Sequence, residues 1–252
     1  MATHLPDTLA PASTAMRDRL IVALDVSSAA AAQELVHRIG EAAGIYKVGL
    51  QLFTAEGPGL VRELVASGRR VFLDLKLHDI PNTVSHAVKS AVELRVHMLT
   101  VHASGGAAML RAATEAANTR LNILAVTVLT SLSDEDMQET GVSGRLADQA
   151  LRMASLARNT GCRGIISSPR EASMIRKSLG EGFAIVTPGV RPAGAESHDQ
   201  QRTATPGEAI ANGASHIVVG RPITHAADPA RAAQAIVEEM QQARIGSDSV
   251  PW

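Results

Sequence analysis

The chain has 252 residues, 19 % of them charged, and a formal net charge of -1. That length supports one domain with a substantial core, and the near-neutral balance excludes a basic nucleic-acid or membrane footprint. Aromatics are only 2 %, so the core must be built from Ala, Val, Ile and Leu. The single cysteine, Cys162, leaves no internal disulfide and suits a reducing compartment such as the cytoplasm. No apolar run reaches the roughly 18 residues that a membrane span needs. Residues 1–18 lack a basic start followed by an apolar core and read as a flexible leader rather than a secretory signal.

RLIVALDV (19–26) reads as the first strand, and Ser27 or Ser28 can cap the periodic helix that follows. Asp25 is then released from capping duty, although it could serve as an alternative cap. IYKVGLQLF (45–53) reads as strand 2, with Ile45, Lys47 and Gly49 on one face. Apolar neighbours on both sides favour an inward Lys47 over one that snorkels to water. A helix around 59–67 ends at Gly68. The next strand runs into DLKLHDIPNT (74–83), where Phe72, Asp74 and Lys76 share a face and Val71, Leu73 and Leu75 share the other. An unpaired charge buried in such surroundings is costly, so an acid and a lysine on one face at the end of a buried strand mark either a reactive site or a structural ion pair.

A third helix is expected after Pro81-Asn82-Thr83. HMLTVHA (97–103) is strand 4, with Thr100 and His102 on one face. NILAVTVLT (122–130) is strand 5, followed by the polar loop 131–144 and a helix over 148–160. GIISS (164–168) is strand 6, with Pro169 at a favoured helix start. FAIVTPGV (183–190) and HIVVGRP (216–222) are strands 7 and 8, and Asp228-Pro229 opens the last helix. Eight short aliphatic strands alternating with helices predict an α/β fold, a single-domain (β/α)8 TIM barrel over 19–246 with a short tail at 247–252. An open doubly wound sheet is the alternative, but no GxGxxG follows strand 1.

In such barrels the site lies at the carboxyl ends of the strands, and the loops after strands 7 and 8 commonly hold a phosphate. Asp25, Lys47, Asp74, Lys76, Asp79, Thr130 and Ser131 fall at these ends. TPGVR (187–191) and GRP (220–222) bring glycine and arginine to the two phosphate positions. The long loop from Pro188 to about 206 reads as a lid or binding loop, with Gln200 able to fold inward.

Taken together, DLKLHDIPNT (74–83), LDV (24–26), KVG (47–49), LTS (129–131), TPGVRP (187–192), DQQR (199–202) and GRP (220–222) closely resemble the orotidine 5'-phosphate decarboxylase family. The resemblance covers about residues 19–240 and implies the last step of UMP synthesis, with no metal or organic cofactor. It implies a charged tetrad of Lys47, Asp74, Lys76 and Asp79, with Lys76 as proton donor to C6 of the pyrimidine. Asp25 and Lys47 would bind the ribose hydroxyls, and Thr130 and Ser131 would lie by the base. Pro188, Arg191, Gln200, Gly220 and Arg221 would form the phosphate side. It further implies a homodimer in which Asp79 and Thr83 reach the neighbouring subunit's site. Two other readings stand beside it. One is a metal-dependent sugar-phosphate decarboxylase or synthase of the same barrel group, which would carry an acidic ligand where this chain has Lys47. The other is a non-catalytic phosphosugar-binding barrel. No second domain is visible, so the sequence reads as a stand-alone form rather than half of a bifunctional UMP synthase.

Overall fold

The computed structural model describes residues 16–192 and 203–248. Eight parallel strands close into a barrel in the order β1 to β8. They are β1 (Leu20–Ala23), β2 (Ile45–Gly49), β3 (Arg70–Leu77), β4 (Met98–His102), β5 (Asn122–Val126), β6 (Gly164–Ile166), β7 (Ala184–Thr187) and β8 (His216–Val219). Closure is direct: β1 pairs with β2 through Ile21 opposite Ile45, and with β8 through Ile21 opposite Val218.

The alternation expected of strands sorts the aliphatic side chains into two cores. Ile21, Ile45, Phe72, Met98, Leu124, Val186 and Val218 fill the barrel interior. Val22, Tyr46, Val48, Val71, Leu73, Leu99 and Ile185 point outward into the larger layer beneath the helices. Each such buried side chain contributes roughly 1.5–3 kcal/mol of hydrophobic stabilisation. Cys162 lies in that outer layer, and burial pushes its thiol up to about 11. Among the described residues no helix is long and apolar enough to cross a membrane.

The helices are α1 (Ala29–Ile39), α2 (Leu50–Ala66), α3 (Pro81–Glu93), α4 (Gly106–Ala117), α5 (Asp134–Glu139), α6 (Leu146–Asn159), α7 (Pro169–Leu179), α8 (Pro206–Ala211), α9 (Arg221–Thr224) and α10 (Pro229–Asp248). Ser28 caps α1 by accepting the Ala31 N–H, as its position suggested. Asp228 likewise accepts the Arg231 N–H at the start of α10.

Several boundaries differ from the sequence reading. Strand 2 stops at Gly49, and Leu50–Ala66 is one helical run kinked at Gly57 (φ 66°) ahead of Pro58. Residues 50–53 therefore belong to a helix, with Leu52 buried and Leu50 exposed. Strand 5 ends at Val126 and strand 8 at Val219, so Thr130 and Ser131 are loop residues and Arg221 opens a short helix. Pro81 is the first residue of α3, which puts Asn82 and Thr83 inside its first turn. The polar stretch 131–144 contains α5, secured by a capping box between Ser133 and Asp136. At the amino end, Met16–Arg19 forms a 3-10 turn with Met16 buried.

The base of the barrel is tied by charge. Arg19 donates to the carbonyls of Ser215 and Ala214, both at 2.7 Å, across the β1–β8 seam. Arg70 pairs with Asp18 and donates to the Gly44 carbonyl at 3.2 Å. His216, buried at the start of β8, has no hydrogen-bond partner for Nδ1 among the described residues. Burial, reinforced by Arg19, His97 and Arg70, drives its pKa down to about 3.

Candidate active site

A cavity of about 550 Å3 opens at the carboxyl ends of the strands. β1 continues past its last paired residue to bring Asp25 to the rim, β2 supplies Lys47, and β3 supplies Asp74 and Lys76. Their shared inward face follows from strand alternation, with Ile45 and Phe72 one step below in the interior.

The three charged groups form a continuous row with Asp25. Lys76 Nζ donates to both oxygens of Asp74, at 2.9 and 2.8 Å. Lys47 Nζ lies 3.7 Å from Asp74 Oδ2 and 3.2 Å from Asp25 Oδ1. Asp74 and Lys47 are largely enclosed, with side chains 13 % and 12 % exposed, whereas Asp25 is 60 % exposed. Burial alone would raise the Asp74 pKa. The ammonium groups of Lys47 and Lys76, with hydrogen bonds from Lys76 and Thr100, outweigh it and hold the carboxyl below its usual range. A Cβ at Gly49 would sit 2.9 Å from Lys47 Nζ, so a side chain there would press on the ammonium group.

Lys76 adopts φ 49°, a left-handed conformation without glycine, at a cost of roughly 1–3 kcal/mol. It does so within a register shift of the β3–β4 ladder, which resumes only at Leu77 opposite Val101. Next to it, the rings of His78 and His102 lie 5.4 Å apart. Burial, with His78 and Lys76 nearby, lowers the His102 pKa.

The opposite wall carries Pro188, Gly189 and Arg191 after β7, and Gly220 and Arg221 after β8. Gly189 has φ 75°, which turns the chain so that Val190 bridges to Ala204 across the loop. Thr130 lines the cavity between the two walls. Asp25, Lys47, Asp74, Lys76, Thr130, Pro188, Arg191, Gly220 and Arg221 thus line one cavity.

Three expected residues, Ser131, Asp79 and Thr83, are not brought there by this chain. Ser131 is an exposed loop residue outside the lining. Asp79 and Thr83 are exposed beyond the rim, where Asp79 accepts the Ile80 N–H at 2.6 Å. Gln200 lies outside the described residues. Conversely, Gln51 and His225 line the cavity, as do the apolar Val126, Val128, Ile166 and Val218. Val126, Ile166 and Val218 were findable, since each is an inward position at a strand end, whereas Val128 lies past the end of β5. Gln51 was hidden because residues 50–53 read as strand.

An eight-stranded parallel α/β barrel with a row of alternating charges in the pocket at its carboxyl end has the architecture of a barrel enzyme, whose active sites lie at that face. The sequence profile of the Orotidine 5'-phosphate decarboxylase / HUMPS family matches residues 18–236. An orotidine 5'-phosphate decarboxylase of Moorella thermoacetica is 51 % identical over 237 residues, covering 90 % of this chain and 94 % of its own length. One from Rhodopseudomonas palustris is 49 % identical over 237 residues, covering 94 % of this chain and 100 % of its own. The crystal structure of orotidine 5'-phosphate decarboxylase from Lactobacillus acidophilus superposes with a TM-score of 0.80 at 37 % identity, over 88 % of this chain and 99 % of that one. The chain belongs to the orotidine 5'-phosphate decarboxylase / HUMPS family.

Proposed function

We propose that the reaction of this chain, decarboxylation of orotidine 5'-phosphate to UMP and CO2 in the last step of pyrimidine nucleotide synthesis, runs through the Lys47–Asp74–Lys76 row with Lys76 as proton donor. The observation that carries this reading is the position of Lys76 Nζ, hydrogen-bonded to both Asp74 oxygens inside the cavity. When the bond from C6 to the carboxylate breaks, its electron pair stays on C6 as CO2 leaves. A fixed ammonium beside C6 stabilises that charge and then donates its proton to it. Lys76 regains a proton from solvent.

Asp74 stands beside the substrate carboxylate. Two unit charges about 4 Å apart at an effective dielectric of about 20 repel by roughly 4 kcal/mol. Relief of that repulsion in the transition state is worth about three powers of ten in rate. The energy that holds the substrate against it comes from the remote phosphate, gripped by Arg191, Gln200, Gly220 and Arg221 with Pro188 shaping the wall. Asp25 and Lys47 bind the ribose hydroxyls, and Thr130 and Ser131 flank the base.

The cations paired with the carboxylates of this site are lysines. Lys47 contacts both Asp25 and Asp74, so a divalent ion at those carboxylates would meet an ammonium group already in place. This separates the reading from the metal-dependent sugar-phosphate members of the barrel group. The active form is a homodimer in the cytoplasm. Asp79 and Thr83 are exposed and lie outside the lining of their own cavity, and Ile80 between them is 66 % exposed, a surface suited to a second copy that receives both side chains in its site.

The test is an ultraviolet assay of the purified chain with orotidine 5'-phosphate, with and without EDTA, beside Lys76→Ala. Substrate absorbance should fall equally with and without EDTA, and Lys76→Ala should show no turnover while remaining folded. Normal turnover by Lys76→Ala refutes the assigned role. Loss of wild-type activity on chelation transfers the case to the metal-dependent reading.

A further inference from the structure

We infer that Thr100, a buried β4 residue outside the cavity lining, is a positioning residue that sets the geometry of the Asp74–Lys76 pair. The inference rests on the reading of that pair as the reacting groups. Thr100 is fully buried. Its Oγ1 accepts the backbone N–H of Lys76 at 2.9 Å and donates to Asp74 Oδ1 at 2.9 Å. A hydroxyl has one proton to give, and here that proton goes to the carboxylate. One atom therefore connects the side chain of the acid to the main chain of the lysine.

The location explains why such a link is required. The β3–β4 ladder is regular through Phe72 opposite Met98 and Leu73 opposite Leu99, then resumes at Leu77 opposite Val101. Four steps along β3 thus match two along β4, and Lys76, at φ 49°, lies within the excess. An N–H at such a bulge loses its ladder acceptor, and a buried N–H without a partner is destabilising. Thr100 Oγ1 takes the acceptor's place, holding the turn that brings Lys76 Nζ back over Asp74. The same oxygen's proton fixes Asp74 so that Oδ1 and Oδ2 both face Lys76 while Oδ2 also meets Lys47.

The experiment compares the full-length enzyme with Thr100→Val, which keeps the shape and removes the hydroxyl, and Thr100→Ser, which keeps the hydroxyl. Lys76→Ala runs alongside. Loss of a hydrogen bond to a charged group predicts that kcat of Thr100→Val falls ~10- to 100-fold. KM should change little, since the phosphate grip is elsewhere. The acid limb of its pH–rate profile should move to higher pH, because Asp74 loses one of the donors that favour its charged form. Thr100→Ser should recover most of kcat and the original profile. Wild-type kcat and profile in Thr100→Val overturn the inference, as does a loss confined to KM. If Thr100→Val does not fold, Thr100→Ala is judged by the same criteria. Failure of both to fold also overturns the inference, making the hydroxyl a tie for the fold alone. An inactive wild type or an active Lys76→Ala would instead remove the reading of the pair, so the two failures are distinguishable.

Discussion

His216 at the barrel base makes stability depend on pH in a way that can be calculated. The ring is buried, Nδ1 has no partner among the described residues, and the groups that act on it are Arg19 from the turn before β1, Arg70 from β3 and His97 from the approach to β4. All of these oppose a further positive charge, and the folded pKa is about 3 against the ordinary 6.5. The native state therefore binds no proton here across the interval where the unfolded chain binds one. Stability supplied by the neutral ring is fully present above pH 6.5 and is lost as pH falls toward 3, at about 1.4 kcal/mol per pH unit. From pH 7.5 to pH 5.0 the loss from this residue is about 2 kcal/mol. Urea unfolding of wild type and His216→Gln at both pH values, at fixed protein concentration, isolates it, because every other titrating group contributes equally to both proteins. The variant should start from a lower stability but lose about 2 kcal/mol less over the interval. Equal losses in the two proteins would refute the argument.

The remaining predictions concern binding and assembly. Arg221→Ala should raise KM for orotidine 5'-phosphate roughly 10- to 100-fold, as expected for a lost charge-assisted contact, yet leave turnover of the bare nucleoside unchanged; equal effects on both would remove Arg221 from the phosphate site. Asp79→Ala and Lys76→Ala, each inactive alone, should regain part of the wild-type rate when mixed under conditions that exchange subunits, since a hybrid dimer contains one intact site. If mixing restores nothing while exchange is verified, Asp79 does not act across an interface.

The barrel was legible because its signals are local. Eight aliphatic runs alternate with helices, and period-two alternation alone put Lys47, Asp74 and Lys76 on inward faces, where they form one row. The errors share a cause. IYKVGLQLF continues as a strand by hydrophobicity, yet the helix starting at Leu50 wins because its apolar face is buried by tertiary packing. In the polar loop after strand 5, the Ser133–Asp136 capping box was present in the sequence but lacked an apolar run to announce a helix. Thr100 could be put on a face but not assigned a task, because that task depends on a register shift between two strands. No single-strand pattern encodes such a shift. The sequence shows His216 only as the first residue of a strand, and its isolation arises from Arg19, Arg70 and His97, distant in sequence.

The same alternation that builds the site also insulates it. On β3 the inward positions run Arg70, Phe72, Asp74, and on β8 they run His216, Val218, with Gly220 just past the strand's end. Charged or polar groups thus occupy the base and the rim, and an apolar layer of Ile21, Ile45, Phe72, Met98, Leu124, Val186 and Val218 fills the space between. Four residues of strand separate Arg70 from Asp74 by roughly 13 Å. At an effective dielectric of about 20, a unit charge at that distance acts with only about 1 kcal/mol, against about 4 at contact. The base can therefore be arranged for closure of the barrel, with Arg19 across the seam and Arg70 on Asp18, while the rim is arranged for charge development in the reaction. Substitutions at His216 should accordingly shift unfolding far more than kcat, and those at Thr100 the reverse.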